Sequence, residues 1–125
     1  MEKKKYDLEE RLLDYSASII QIVEKLPNTR AGNHVAGQLL RSGTSPMPNH
    51  GEAQAAESPD DFMHKLRVCL KELRESFRWL RLIHRVPMMP AAKDAPGLIQ
   101  ETDELIRIFV ASIKTSKTRN TFHPA

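Results

Sequence analysis

One cysteine, Cys69, stands alone in 125 residues, so no disulfide can form within the chain. Five glycines and seven aromatic residues are scant material for a sheet-rich fold with its tight turns and pleated, half-buried faces. No apolar run approaches the eighteen or so residues of a membrane-spanning helix. The start, Met1-Glu2-Lys3-Lys4-Lys5-Tyr6-Asp7, lacks the apolar centre of a secretory signal. These scarcities point to a reducing compartment, the cytoplasm, and away from membranes. Charge of one sign is also scarce: 19 Lys and Arg face 16 Asp and Glu, a net +3, so any interaction with polyanions depends on where the cations sit.

What is present suits one folded domain: 40% hydrophobic residues, 28% charged, and a length typical of a single core. Leu8, Leu12, Tyr15, Ile19, Ile22 and Leu26 recur at alternating spacings of four and three, which predicts a helix over about 6–26. Pro27 ends it. A second helix, about 31–57, carries Val35, Leu39 and Leu40. It meets Gly43, Pro46, Pro48 and Gly51 within nine residues, so a break or kink is expected near 42–51. Ser58-Pro59-Asp60-Asp61 combines an N-cap, a first-turn proline and acidic residues at the positive helix end. The helix it opens, about 59–86, presents Phe62, Leu66, Cys69, Leu73, Phe77, Leu80 and His84 to a core, and Pro87 and Pro90 close it. A fourth helix, about 96–115, carries Leu98, Thr102, Leu105, Phe109 and Ile113, and 116–125 reads as a polar tail. Four amphipathic helices with short connections make an all-α, antiparallel up-and-down bundle.

The third helix is the basic one. Arg67, Lys71, Arg74, Arg78, Arg81 and Arg85 fall within a sector of about 80° over roughly 27 Å. Between His64 and Arg85 there are seven Lys or Arg and two acidic residues. Two readings compete. The stripe is either a solvated face neutralised by Glu9, Glu10, Asp14, Glu101, Asp103 or Glu104 of neighbouring helices, or a ridge that binds the phosphates of a nucleic acid. Five of the six are Arg, which favours bidentate phosphate contacts that are blind to base sequence. Val68, Trp79 and Leu82, on another flank, pack at a core edge or form a subunit interface.

Enzyme signatures are thin. No P-loop, G-x-G-x-x-G or G-x-S-x-G occurs. Asp61-x-x-His64 is a single copy of a motif that di-iron bundles need twice, and a metal site of Glu57, Asp61 and His64 is remote. The spacing of His34, His50 and His64 does not suggest ligands, and Cys69 reads as an inert buried thiol. No catalytic residue, metal or cofactor is expected.

The stretch Gln38-Leu39-Leu40-Arg41-Ser42-Gly43-Thr44-Ser45, with Asn49 and Glu52-Ala53, then Asp61 to Leu66 and Leu70 to Ser76, resembles the four-helix bundle family first noticed as reading frames inside bacterial 23S rRNA intervening sequences. The resemblance runs from about Leu8 to Ile113. It implies a bacterial, cytoplasmic, non-enzymatic homopentamer. A relative of the same fold, the accessory variability protein of diversity-generating retroelements, is a basic pentamer that binds nucleic acid and a reverse transcriptase. By position, Arg41, Ser42, Ser45, Asn49 and Glu52 match the family signature, as a buried hydrogen-bond network or a subunit contact. Met47, Pro48 and His50 depart from the usual pattern. The resulting expectation is a homo-oligomeric accessory protein that binds RNA, or else DNA, through the third-helix ridge. The alternative is a protein scaffold that docks a partner such as a reverse transcriptase.

Overall fold

The computed structural model describes residues 7–122 and, among them, is built from helices with no strand. Helix α1 spans Leu8–Val23, α2 Arg30–Thr44, α3 Pro46–Gln54, α4 Pro59–Arg85 and α5 Ala95–Phe122, with a single 3-10 turn at Ala91–Lys93. Helices α2 and α3 are two pieces of one bent helix, so the molecule is a four-helix bundle. Local chemistry sets the starts. Asp7, Thr29 and Ser58 each accept a hydrogen bond from the backbone N–H three residues on, satisfying a donor the first turn leaves orphaned.

The antiparallel order is written in the contacts. Ile19 of α1 faces Gly43 of α2, and Pro27 faces Gly32. Tyr15 meets Thr102 of α5, and Lys25 meets Asp94. His34 lies edge-on to Trp79, Ser42 meets Ser76, and Glu52 meets Lys65, so α2 and α3 run opposite to α4.

The core holds Leu12, Tyr15, Ile19 and Ile22 from α1 and Leu98, Leu105 and Phe109 from α5, as their periodicity predicts. Leu8, Leu26 and Ile113 pack on its margin. In α4 the buried line is Leu66, Cys69, Leu73, Ser76, Leu80 and Ile83. Phe77 is only half-buried and His84 is exposed, contrary to the expected stripe. Ser76 takes the core position because its hydroxyl donates to the Glu72 carbonyl at 3.0 Å and accepts from Ser42 at 2.8 Å, which removes the cost of burying it. A second polar pair crosses the core: the Tyr15 hydroxyl donates to Thr102 Oγ1 at 2.6 Å while Thr102 donates to the Leu98 carbonyl.

The break expected near 42–51 is present as a bend at Ser45, whose backbone stays in the right-handed helical region (φ −71°, ψ −37°). Pro46 and Pro48 then occupy the first turn of α3, where no intrahelical N–H bond is lost. The same piece stops at Gln54, so Ala55–Glu57 are not helical. Helix α5 runs on to Phe122, well past 115, since no Gly or Pro interrupts the sequence before Pro124. Residues 123–125 of the expected tail lie outside the described residues, as does Tyr6.

His50 is buried in α3, edge-on to Phe109 with ring centroids 6.1 Å apart, and its Nδ1 has no hydrogen-bond partner. Burial lowers its pKa below the ordinary 6.5, against the opposing pull of Glu9 and Asp7. The fold therefore holds the neutral imidazole. Stability is complete above pH 6.5 and is lost as pH falls through the lowered folded-state value, because the unfolded chain takes the proton first. Thermal midpoints measured between about pH 7.5 and 5 should fall further for the natural protein than for His50→Phe. Parallel curves would remove His50 from the account.

Candidate functional site

Arg67, Lys71, Arg74, Arg78, Arg81 and Arg85 are all exposed on α4. The 27-residue helix is held straight against its neighbours by a buried side chain at nearly every turn, so the cations form one outward ridge. None of the six enters an ion pair among the described residues. Their one recorded hydrogen bond is local, from Arg78 Nη1 to the Arg74 carbonyl at 3.3 Å.

Of the acidic groups that could have neutralised the ridge, Glu9, Glu10 and Asp14 of α1 enter no ion pair among the described residues, and the others are engaged elsewhere. Glu101 and Glu104 both take Arg11 of α1, at 2.8 and 2.7 Å, and that hydrogen bonding holds the guanidinium charged. Asp103 takes Arg107 on its own helix at 3.0 Å. Glu72 and Glu75, the two carboxylates within the basic stretch of α4, both turn to Arg41 of α2, at 3.2 and 2.6 Å. Glu75 accepts in addition from the Trp79 indole N–H at 3.1 Å.

The family-signature residues gather on the opposite flank of α4. Arg41 bridges Glu72 and Glu75, Ser42 reaches Ser76, and Glu52 pairs with Lys65 at 2.8 Å, holding that ammonium charged. Asn49 donates to both the carbonyl and the hydroxyl of Ser45, at 3.0 and 2.9 Å, clamping the bend. Cys69 donates weakly to the Pro46 carbonyl at 3.5 Å, just beyond the bend. Burial pushes that thiol up to about 12, which leaves almost no thiolate at neutral pH. The signature thus joins the bent helix to α4. Although exposed, Arg41 spends its charge on two carboxylates and adds nothing to the ridge.

Val68 and Trp79 are half-buried, and Trp79 packs on the core margin with its ring 5.9 Å from His34. Of that trio only Leu82 is exposed; Val86 and Met89, further along the chain, are exposed apolar side chains as well. Sequence reasoning passed over three further exposed apolar side chains, Leu13, Ile20 and Leu40. Leu39 and Leu40, consecutive on one helix, stand 100° apart, so Leu39 alone enters the core. The Arg41 carboxylate partners were also missed, since a pair 31 or 34 residues apart leaves no local signal.

Asp61 is half-buried, Glu57 and His64 are exposed, and among the described residues no group of three His, Cys, Asp or Glu is placed to hold a metal ion. No described helix is long and apolar enough to cross a membrane.

A search of curated proteins finds no match. Among solved structures, a protein of unknown function from the S23 ribosomal protein family of Bacteroides thetaiotaomicron is similar to this chain. It is 29% identical, with 85% of this chain and 97% of that one covered and a TM-score of 0.76. The family model described as 23S rRNA-intervening sequence protein matches residues 4–111, a span that takes in the cationic ridge and every signature residue around the bend. With fold, signature and family model in agreement, the chain belongs to the 23S rRNA-intervening sequence protein family.

Proposed function

We propose that this protein is a non-enzymatic homo-oligomer, a pentamer, that binds nucleic acid, RNA foremost, along the α4 ridge in the bacterial cytoplasm. The observation that carries the proposal is six exposed cations with no carboxylate partner among the described residues, on a helix whose Glu72 and Glu75 are drawn away to Arg41. Surface cations are normally interspersed with anions; a row left uncompensated over roughly 27 Å suits a polyanion. The subunit number and the preference for RNA rest on the family resemblance. The exposed side chains of Leu82, Val86 and Met89 supply apolar surface for contacts between copies.

A second reading has its own support. The same apolar side chains beside Arg81 and Arg85 also suit a protein partner such as a reverse transcriptase, with the ridge meeting acidic protein surface. Salt separates the two. If the ridge engages phosphates, log K for RNA falls linearly with log salt, with a slope of about −0.7 to −0.9 per phosphate neutralised. Fluorescence anisotropy of a labelled RNA should therefore give a slope near −4 to −5 for six contacts. Absence of RNA binding at low salt favours the scaffold.

A further inference from the structure

We infer that the α4 ridge takes double-stranded rather than single-stranded nucleic acid, an inference that rests on the nucleic-acid reading above. Proteins that hold single strands combine cations with open aromatic rings on which successive bases stack. Among the described residues the cations come without open rings of that kind. Tyr15 and Phe109 are buried. Phe62 and Trp79 are half-buried against the core, Trp79 is further fixed by His34 and Glu75, and Phe77 is half-buried. Among the described residues no aromatic side chain of Phe, Tyr or Trp stands exposed beside the ridge. His64, exposed three residues before Arg67, and His84, exposed beside Arg85, offer one imidazole at each end of the ridge, about 30 Å apart, which is no platform for successive bases. Arginine planes can also cover a base, but a guanidinium used that way is withdrawn from a phosphate.

The shape of the ridge argues in the same direction. Its cations advance by three or four residues, 4.5 to 6 Å at a time, on a helix fixed by its own core packing. A duplex offers such a rod a preordered array, with one phosphate per about 1.7 Å of axis when both strands are counted. A single strand carries half that density and must be straightened along the ridge, losing conformational freedom that no stacking returns.

The test is competition. A labelled duplex of about 20 base pairs, bound to the full chain at low salt, is displaced by unlabelled duplex or by an unstructured single strand of equal phosphate number. Both RNA and DNA versions are used, because the phosphate chemistry is shared. The expected result is that duplex competes about tenfold or more better than single strand, because it presents about twice the phosphate density along the ridge and is already ordered. Equal or better competition by the single strand overturns the inference while leaving nucleic-acid binding intact. If the labelled duplex does not bind but a labelled single strand does, the inference alone again fails. If neither binds, the nucleic-acid reading itself fails and takes the inference with it.

Discussion

Reversing two charges in the middle of the ridge, Arg74→Glu with Arg78→Glu, should weaken RNA binding by two orders of magnitude or more while leaving the fold intact. Each phosphate contact contributes roughly 0.7–0.9 to the salt slope, so losing two cations and adding two anions should bring a slope near −5 down to about −2. The fold should survive because both side chains are exposed and neither holds an ion-pair partner. The only recorded hydrogen bond at stake is the one from Arg78 to the Arg74 carbonyl, on the surface. Anisotropy titrations at several salt concentrations, alongside circular dichroism melts, measure both halves. Unchanged affinity in a folded variant would remove the ridge from any binding role.

The largest effect on stability is expected from a methyl group. A Cβ added at Gly32 would sit 1.9 Å from the Pro27 carbonyl oxygen, a collision with backbone rather than with a side chain that can turn aside. That carbonyl also accepts the Thr29 N–H at 2.9 Å, and Thr29 caps α2. Gly32→Ala therefore has to displace the whole turn between α1 and α2, at a cost of about 3 kcal/mol or more. The thermal midpoint should drop by roughly 10 °C. Gly37 is the matched comparison: it lies in the same helix, and a Cβ there meets nothing within 4 Å. Gly37→Ala should instead raise stability by about 0.5–1 kcal/mol, because alanine loses less backbone freedom in a helix. Two identical substitutions five residues apart should thus move the midpoint in opposite directions. A Gly32→Ala protein as stable as the natural one would mean that the turn is looser than described.

The sequence discloses those parts of the fold that depend on local pattern. The stripes of α1 and α5 are visible in the spacing of Leu12, Tyr15, Ile19 and Ile22 and of Leu98, Thr102, Leu105 and Phe109, because helical period alone decides which residues face inward. Ser58 and Pro59 announce the start of α4 for a similar reason: a cap acts within one turn. What a helix does when it meets its neighbours is not local. Ser76 is invisible as a core residue until Ser42 is opposite it. Pro46 and Pro48 look like breakers, yet they fit the opening turn of α3 because Ser45 keeps a helical backbone. The polar stretch after Thr115 looks like a tail but lacks anything that stops a helix.

The candidate site divides in the same way. That six cations share one face follows from their numbering. Their freedom from carboxylates does not, because it depends on Arg11 engaging Glu101 and Glu104 and on Arg41 engaging Glu72 and Glu75. The signature around the bend, legible only as a polar cluster, proves to be the set of bonds by which α2 and α3 grip α4. In doing so it draws two negative charges off the helix that bears the ridge. Arg41→Gln, which frees both carboxylates and so restores negative charge along α4, should weaken RNA binding in an anisotropy titration without touching the ridge itself.

The most direct test of the account is the mass of the natural protein by light scattering, alone and with a short RNA, at low and at physiological salt. Five chains of 14.2 kDa give about 71 kDa. The account predicts that mass without RNA, a further rise when RNA is added at low salt, and loss of the rise as salt increases. An oligomer whose mass is indifferent to RNA at low salt would contradict the phosphate-binding ridge, and a monomer would contradict the assembly as well.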